Sequence, residues 1–413
     1  MVAGPSDHPP VRLAVVFDQE LTGGGGYQQA VNDALAVTRL DASLCEPVFL
    51  TTAKENVAEL RKLGIEATYL RVSSFMYARL WLRRRIIAKQ LLRPLTAIFG
   101  QNPFDKALDR HAAGLVYFVS PCLLALFTEK YNYIFTLWDL CHRDQVEFPE
   151  VRTGRIFERR ETLYYGALPR ATATIVDSQL GRENALRRYG LDADRVVVRP
   201  FSPSASIDTD RNSAVDQIDI KAKYGLSGDY VVYPAQFWPH KNHVYLLRGL
   251  AELERRHGLK LHAIMSGSDK GNLAHVTQTA QDLGLSDRVH FPGFVSSEEL
   301  SCLYRQALAL VMPTYFGPTN IPPLEAFAFG TPVIYSNLPG LKEQTGEAAL
   351  LAELDDPGSL AEHLQSLAAQ PELRDKLAQA GRRQLEHLAA QSGDWLEKTL
   401  RRFQVIRATW PAP

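Results

Sequence analysis

The sequence predicts an α/β protein built from two doubly wound parallel-sheet domains that face each other across a cleft. Three observations carry that prediction. Short apolar runs alternate with helical patterns along most of the chain. The alternation breaks once, in a polar stretch over residues 202–219, and then restarts. The chain has 413 residues, a length that suits two domains better than one.

In the first half, residues 11–17 read as a buried strand, followed by the loop Gly23, Gly24, Gly25 and Gly26 and a helical stretch over 27–40. Residues 47–50 and 68–72 read as strands on either side of a helix over 57–63. Further apolar strand runs lie at 115–119, 133–137 and 173–176. Runs this short and this apolar suit strands covered on both faces. Pro203, Asp208, Asp210 and Asn212 mark the polar stretch as the linker. Beyond it, strand runs recur at 230–233, 261–265, 289–291, 308–312, 333–335 and 349–351. Helical patterns at 244–256, 297–306 and 359–369 fall between them. The expected domains are 1–200 and 201–389, with a helix in about 390–413 crossing back to the first. Ligands of paired sheets of this kind bind at the carboxyl ends of the strands.

Composition removes several function classes. Lysine plus arginine and aspartate plus glutamate each total 46, so no global charge favours nucleic acid. Cys45, Cys122, Cys141 and Cys302 are far apart and form no C-x-x-C pair. That argues against a disulfide scaffold or structural zinc and fits a reducing cytoplasm. Residues 1–10 are polar and proline-rich, unlike a signal peptide. No uncharged apolar run approaches the ~20 residues that span a bilayer.

The chemistry concentrates in residues 315–334, a loop, helix and strand in that order. Thr319 and Asn320 suit a helix N-cap, Pro322 and Pro323 the first turn, and Gly330 a left-handed exit. The helix start, with Ile321, would then offer free N–H groups to a phosphate. Glu325 lies near that first turn, where it can accept hydrogen bonds from sugar hydroxyls, or simply complement the helix dipole. Lys241 lies in the loop 234–243 between a strand and a helix, where it can neutralise a diphosphate or stand solvated. Gly267 follows another strand, and Phe294 and Val295 a third, where they can pack on a nucleobase or serve the core. In the first half, Asp139 and His142 follow a strand. They can bind acceptor hydroxyls and steady the reacting sugar, or cap a helix and support the fold. The four glycines let backbone approach a ligand closely. The D-x-D spacings at Asp192 and Asp194 and at Asp208 and Asp210 sit in turn-like sequence, and no required metal is expected. There is no serine–histidine–acid arrangement and no dinucleotide fingerprint.

These segments, in this order, resemble the retaining glycosyltransferases of family 4, which have the GT-B fold. The resemblance rests on Gly23 to Gly26, Trp138-Asp139 with His142, Asp177-Ser178, the Lys241 loop, Pro292 to Val295, Leu324-Glu325-Ala326 with Gly330-Thr331-Pro332, and Ser336-Asn337 with Pro339-Gly340. It covers nearly the whole chain. It implies two Rossmann-like domains and a nucleotide-diphosphate sugar donor held mainly by the second, with no separate cofactor. Lys241 would match the diphosphate lysine, and Glu325 the second glutamate of E-x7-E, whose partner is the ribose. Pro318, Thr319, Asn320 and Ile321 would contact the diphosphate or sugar. Two positions depart from the family pattern: Gly317 stands where another glutamate is usual, and Gln236 where a basic residue is usual. The implied reaction moves a hexosyl group to a hydroxyl of a glycan, lipid-linked as in polysaccharide or O-antigen assembly. The alternatives are a GT-B nucleotide-sugar epimerase and a non-catalytic glycan-binding subunit.

Residues 67–104 contain no acidic residue. On a helical wheel Met76, Tyr77, Leu80 and Trp81 share one side, and Arg79, Arg83, Arg85, Lys89 and Arg93 the other. An amphipathic basic helix of this kind suits an anionic membrane surface, so peripheral attachment at the cytoplasmic face is expected. The other reading is a helix packed on the first domain with solvated arginines.

Overall fold

The computed structural model describes residues 9–20, 25–88, 101–205, 207, 218–317 and 319–410. The first sheet has seven strands: β1 (Val11–Phe17), β2 (Cys45–Thr51), β3 (Ala67–Tyr69), β4 (Leu115–Phe118), β5 (Asn132–Thr136), β6 (Ala173–Val176) and β7 (Val196–Val198). The second has six: β8 (Tyr230–Pro234), β9 (His262–Ser266), β10 (Val289–Gly293), β11 (Ala309–Met312), β12 (Val333–Ser336) and β13 (Ala349–Ala352). Their orders are β3-β2-β1-β4-β5-β6-β7 and β10-β9-β8-β11-β12-β13, and every pairing is parallel. β7 was not among the strand runs read from sequence.

Parallel strands need crossovers, and helices supply them on both faces. The strands are accordingly apolar on both sides; Leu13, Ala14, Val15 and Val16 in β1 are all fully buried. Both orders reverse direction once, between β1 and β4 and between β8 and β11. At such a reversal the loops leaving neighbouring strands diverge and open a crevice. In the second domain the two loops concerned carry Lys241 and residues 313–320.

The long helix Pro371–Ser392 lies on the second domain, where Gly381 meets Phe327. Gly393, at φ 49°, ends it and releases the chain toward the first domain. The final helix, Trp395–Arg407, buries Leu396, Leu400 and Phe403 in the cluster that contains Val11, Leu13 and Leu115. Trp395 meets Tyr117 edge-on at 5.9 Å, and Gln404 Nε2 donates to the Pro9 carbonyl at 3.0 Å.

The domains also meet directly. Glu343 of the second domain accepts from the Gln179 and Leu180 N–H groups at 2.5 and 3.1 Å, capping the helix Gln179–Tyr189 of the first. Thr319 donates to Asp177, and the His240 ring meets Glu150 at 2.5 Å.

The arginine-rich helix, Ser74–Ala88, turns its apolar side inward. Leu80 is buried, and Tyr77 and Trp81 pack edge-on against Phe127 at 6.3 and 5.2 Å. Arg83 pairs with Glu129 at 2.9 Å, and Arg84 donates to the Leu126 carbonyl at 3.0 Å. The apolar side expected to meet a membrane is therefore core, and Arg83 is held by a carboxylate of its own domain. A helical wheel reports one apolar stripe and cannot say what covers it. Lys89 and Arg93 lie outside the described residues.

The returning helix is tested by Leu400→Ala. Removing this fully buried side chain is expected to cost about 2–5 kcal/mol of first-domain stability in urea unfolding. An unchanged midpoint would show that the helix does not dock as described.

Candidate active site

The crevice between the sheets encloses about 830 Å³. From β8 the chain runs through Gln236 and Trp238 into a single turn, Pro239–Lys241. Asn242, at φ 53°, closes the turn and starts the helix His243–His257. This places the Lys241 ammonium inside the crevice, donating to Asn320 Oδ1 at 2.8 Å. Burial pulls its pKa down to about 8, against the opposing pull of Cys141, Asp139 and Glu150.

Asn320 stands at the N-cap of the helix Ile321–Phe329 but does not cap it with its side chain. Its Nδ2 donates to Tyr335 at 2.6 Å, and its Oδ1 takes the lysine. Its own N–H donates to Gln344 Oε1 at 3.0 Å, and its carbonyl accepts from Gln344 Nε2 at 2.5 Å. Thr319 is likewise engaged elsewhere, with Asp177. The capping expectation is thus corrected: tertiary partners outbid the helix for both side chains. The prolines carry a second correction. Pro322 and Pro323 hold the second and third helical positions and have no N–H. Among the first three helical residues only Ile321 can donate, so an anion here depends chiefly on Lys241.

Glu325 lies one turn into the helix and is buried, yet lines the crevice. Its Oε2 accepts from the Tyr304 hydroxyl at 2.8 Å, and the Ser204 N–H from the inter-domain segment also reaches it. Burial lifts its pKa to about 7.

The loops after β9 and β10 complete this side. A Cβ on Gly267 would lie 2.4 Å from the Ala235 carbonyl oxygen, so only glycine lets β9 close against the Lys241 loop. Gly293, at φ 74°, turns the chain so that Phe294 stands at the rim, 64% exposed, with Val295 beside it. Gln236 accepts from the Trp238 indole at 3.0 Å and brings no charge.

On the first domain, Gly26 packs closely against Trp138; a Cβ on Gly26 would sit 2.5 Å from the indole. Asp139 lines the crevice, pairs with Arg160 and accepts from the Cys141 N–H at 2.9 Å. Burial acts to raise its pKa, but Arg160 and that N–H outweigh it and hold the carboxyl below its ordinary range. His142 does not reach the crevice. The short helix Cys141–Asp144 rotates it inward, fully buried, with Nε2 2.6 Å from Glu161 and the ring against Phe157 and Tyr164. Burial lowers its pKa. Its placement is that of a supporting core residue, which corrects its candidacy for substrate contact. Gly25 opens the helix Gly25–Thr38; Gly23, Gly24 and Pro318 lie outside the described residues. Asp192 and Asp194 lie at the surface turn before β7, and Asp208 and Asp210 are also outside.

The sequence reading missed His240, which lines the crevice, stacks on Phe316 at 3.9 Å and bonds Glu150. It also missed Tyr27, Gln28 and Glu59 on the opposite wall, and Phe201, which lines the crevice and packs on the second-domain core. His240 adjoins Lys241 and was findable; the others belong to no local motif.

Residues 216–384 match the model of the family described as glycosyl transferases group 1. Among curated relatives, a D-inositol 3-phosphate glycosyltransferase of Frankia alni is 31% identical over 236 residues, 54% of this chain and 56% of the relative. The O-antigen chain mannosyltransferase B of Escherichia coli is 28% identical over 209 residues, 50% of this chain and 54% of that one. The chain thus spans about half the length of the curated relatives it matches. Over nearly full length it superposes on Anabaena Alr3699/HepE in complex with UDP and glucose, with TM-score 0.69 and 18% identity, covering 94% of this chain and 99% of the other. WaaG, a glycosyltransferase involved in lipopolysaccharide biosynthesis, superposes with TM-score 0.64 and 16% identity over 91% and 95%. The fold is GT-B, and the second domain has the sequence character of group 1 glycosyltransferases.

The buried glutamate yields a signed prediction. Glutamate titrates near 4.5 when free, and near 7 here. Between those values the folded chain keeps a proton that the unfolded chain has lost, so stability falls as pH rises from about 4.5 to 7. Glu325→Gln removes that loss. Its advantage over wild type in urea unfolding is expected to grow from pH 5 to 8, reaching at most about 3 kcal/mol. A difference independent of pH would overturn the assignment.

Proposed function

We propose that this protein is a retaining family 4 glycosyltransferase of the hexosyl type. It moves a sugar from a nucleotide-diphosphate donor to a hydroxyl of a glycan, lipid-linked as in polysaccharide or O-antigen assembly. The observation that supports this is the convergence of Lys241, Asn320 and Glu325 at the strand-order reversal of the second sheet, facing Asp139 and Trp138. The match to group 1 glycosyltransferases and the mannosyltransferase relative point the same way.

In this reading the donor diphosphate binds beside Lys241, whose ammonium donates to the Asn320 amide. Glu325 accepts hydrogen bonds from ribose hydroxyls, and the exposed Phe294 ring covers the base. The sugar then points at the first domain. As the bond from the anomeric carbon to the phosphate oxygen breaks, the acceptor oxygen bonds to that carbon on the same face. The leaving phosphate takes the acceptor proton, and Lys241 stabilises the negative charge it gains. Phe294 and the Glu59 wall close the site against water. The four cysteines are free and buried, in keeping with a cytoplasmic site of action.

Because Gln236 brings no charge, Lys241 carries this stabilisation nearly alone. Losing it is worth about 3 kcal/mol in the barrier, so Lys241→Ala is expected to lower kcat by about two orders of magnitude. Nucleotide release that depends on added acceptor reads the transfer and separates it from epimerisation. Wild-type turnover in the variant would remove Lys241 from the mechanism.

Contact with an anionic membrane has narrower support. Among the described residues of the helix Ser74–Ala88, Phe75 and Leu82 are exposed, at 77% and 48%, and Arg79 and Arg85 also face outward. Residues 75, 79 and 82 share a helical stripe, and each basic group near such a surface adds about 1 kcal/mol. Flotation with anionic vesicles at low salt is expected to carry the protein, and Phe75→Ser with Leu82→Ser to reduce it. Failure of the wild type to float ends the proposal. Among the described residues no helix is long and apolar enough to cross a membrane.

A further inference from the structure

Resting on the glycosyltransferase reading, we infer that the first-domain wall of the crevice selects an acceptor that carries no phosphate or other anionic group near the reacting hydroxyl. Tyr27, Gln28, Glu59, Trp138 and Asp139 form that wall. Rings cover the C–H faces of a sugar, and carboxylate and amide oxygens accept from its hydroxyls. The Trp138 indole is fixed by its contact with Gly26, and its buried Nε1 has no hydrogen-bond partner among the described residues. Glu59 lies close to Tyr27: burial, and then the Glu59 charge, make that phenol harder to ionise.

The charge of this wall decides the class of acceptor. The cations behind it are held by its own carboxylates. Arg160 pairs with Asp139, and Lys62 with Glu59 at 2.8 Å; neither cation lines the crevice. Among the described residues, the first-domain lining includes no lysine, arginine or histidine. Lys241 and His240 stand across the crevice, on the donor side. An acceptor phosphate would face the Glu59 carboxylate, and the nearest cation there, Lys62, is already paired with that carboxylate and does not line the crevice, so like charge disfavours it. Discrimination here works by refusal as much as by fit. It sets this chain apart from the relatives whose name specifies inositol 3-phosphate.

The test begins with the full chain and a thermal-shift screen of UDP, GDP, dTDP and CDP sugars to find the donor. Nucleotide release is then followed with methyl α-mannoside and methyl α-glucoside, with the 6-phosphates of both, and with inositol 3-phosphate. The neutral glycosides are expected to exceed their phosphates at least tenfold in kcat/KM. Glu59→Lys is expected to narrow or reverse that gap, and Glu59→Gln to narrow it less. Phosphorylated acceptors used equally well or better, or a gap that Glu59→Lys leaves unchanged, would overturn the inference while leaving the donor site intact. Binding of no sugar nucleotide would bring down the glycosyltransferase reading, and this inference with it.

Discussion

A buried ammonium with a neutral partner organises this molecule. Lys241 is drawn out of water between two sheets and meets the amide oxygen of Asn320 rather than a carboxylate. Burial alone would neutralise a lysine, and it has already moved this one to about 8. A bound anion would return the charge to it, and most of the crevice is arranged to keep that position available. The Asn320 amide is fixed by Tyr335, and its backbone by Gln344, so the lysine's partner cannot drift. A preorganised charge of this kind acts without reorganising when negative charge develops.

The donor side is not a free-standing half. Thr319, next to Asn320, is bonded to Asp177 of the first domain; Glu325 takes an N–H from Ser204, and His240 leans on Glu150. Asp177 and Glu325 are both buried carboxyls, and desolvation pushes each to about 7. Carboxyls raised this far cost stability at neutral pH. Two of them at one domain junction place a pH-dependent cost where the domains meet.

Most of the architecture was legible because parallel strands buried on both faces leave short, wholly apolar runs. β7 escaped because it has three residues, Val196–Val198, between a surface turn and the buried Arg199. Lys241 and Glu325 were legible as candidates because one sits on the loop after β8 and the other in the helix that follows the β11 loop, and the strand order brings both to the crevice. His142 was not, because one short helical turn decides whether a residue three positions after Asp139 faces the cleft or the core. What covers the apolar stripe of the arginine-rich helix was illegible for a related reason: it packs on Phe127, a contact distant in sequence. The wall with Tyr27, Glu59 and Trp138 is assembled from separate segments, and no local pattern announces it.

The two departures from the family pattern make sense together. Gly317 adopts φ 95°, which a glutamate would hold only under strain, and a Cβ there would lie 3.4 Å from the Asn320 amide. The turn at Gly317 and the inward amide of Asn320 therefore share one space. With no acidic side chain at 317, the lysine is partnered by a neutral group instead of an anion. Gln236 fits the same arrangement, since it braces Trp238 rather than adding a second cation. The Lys241 ammonium thus donates to an amide dipole, and a diphosphate entering beside it has no carboxylate at 317 to displace.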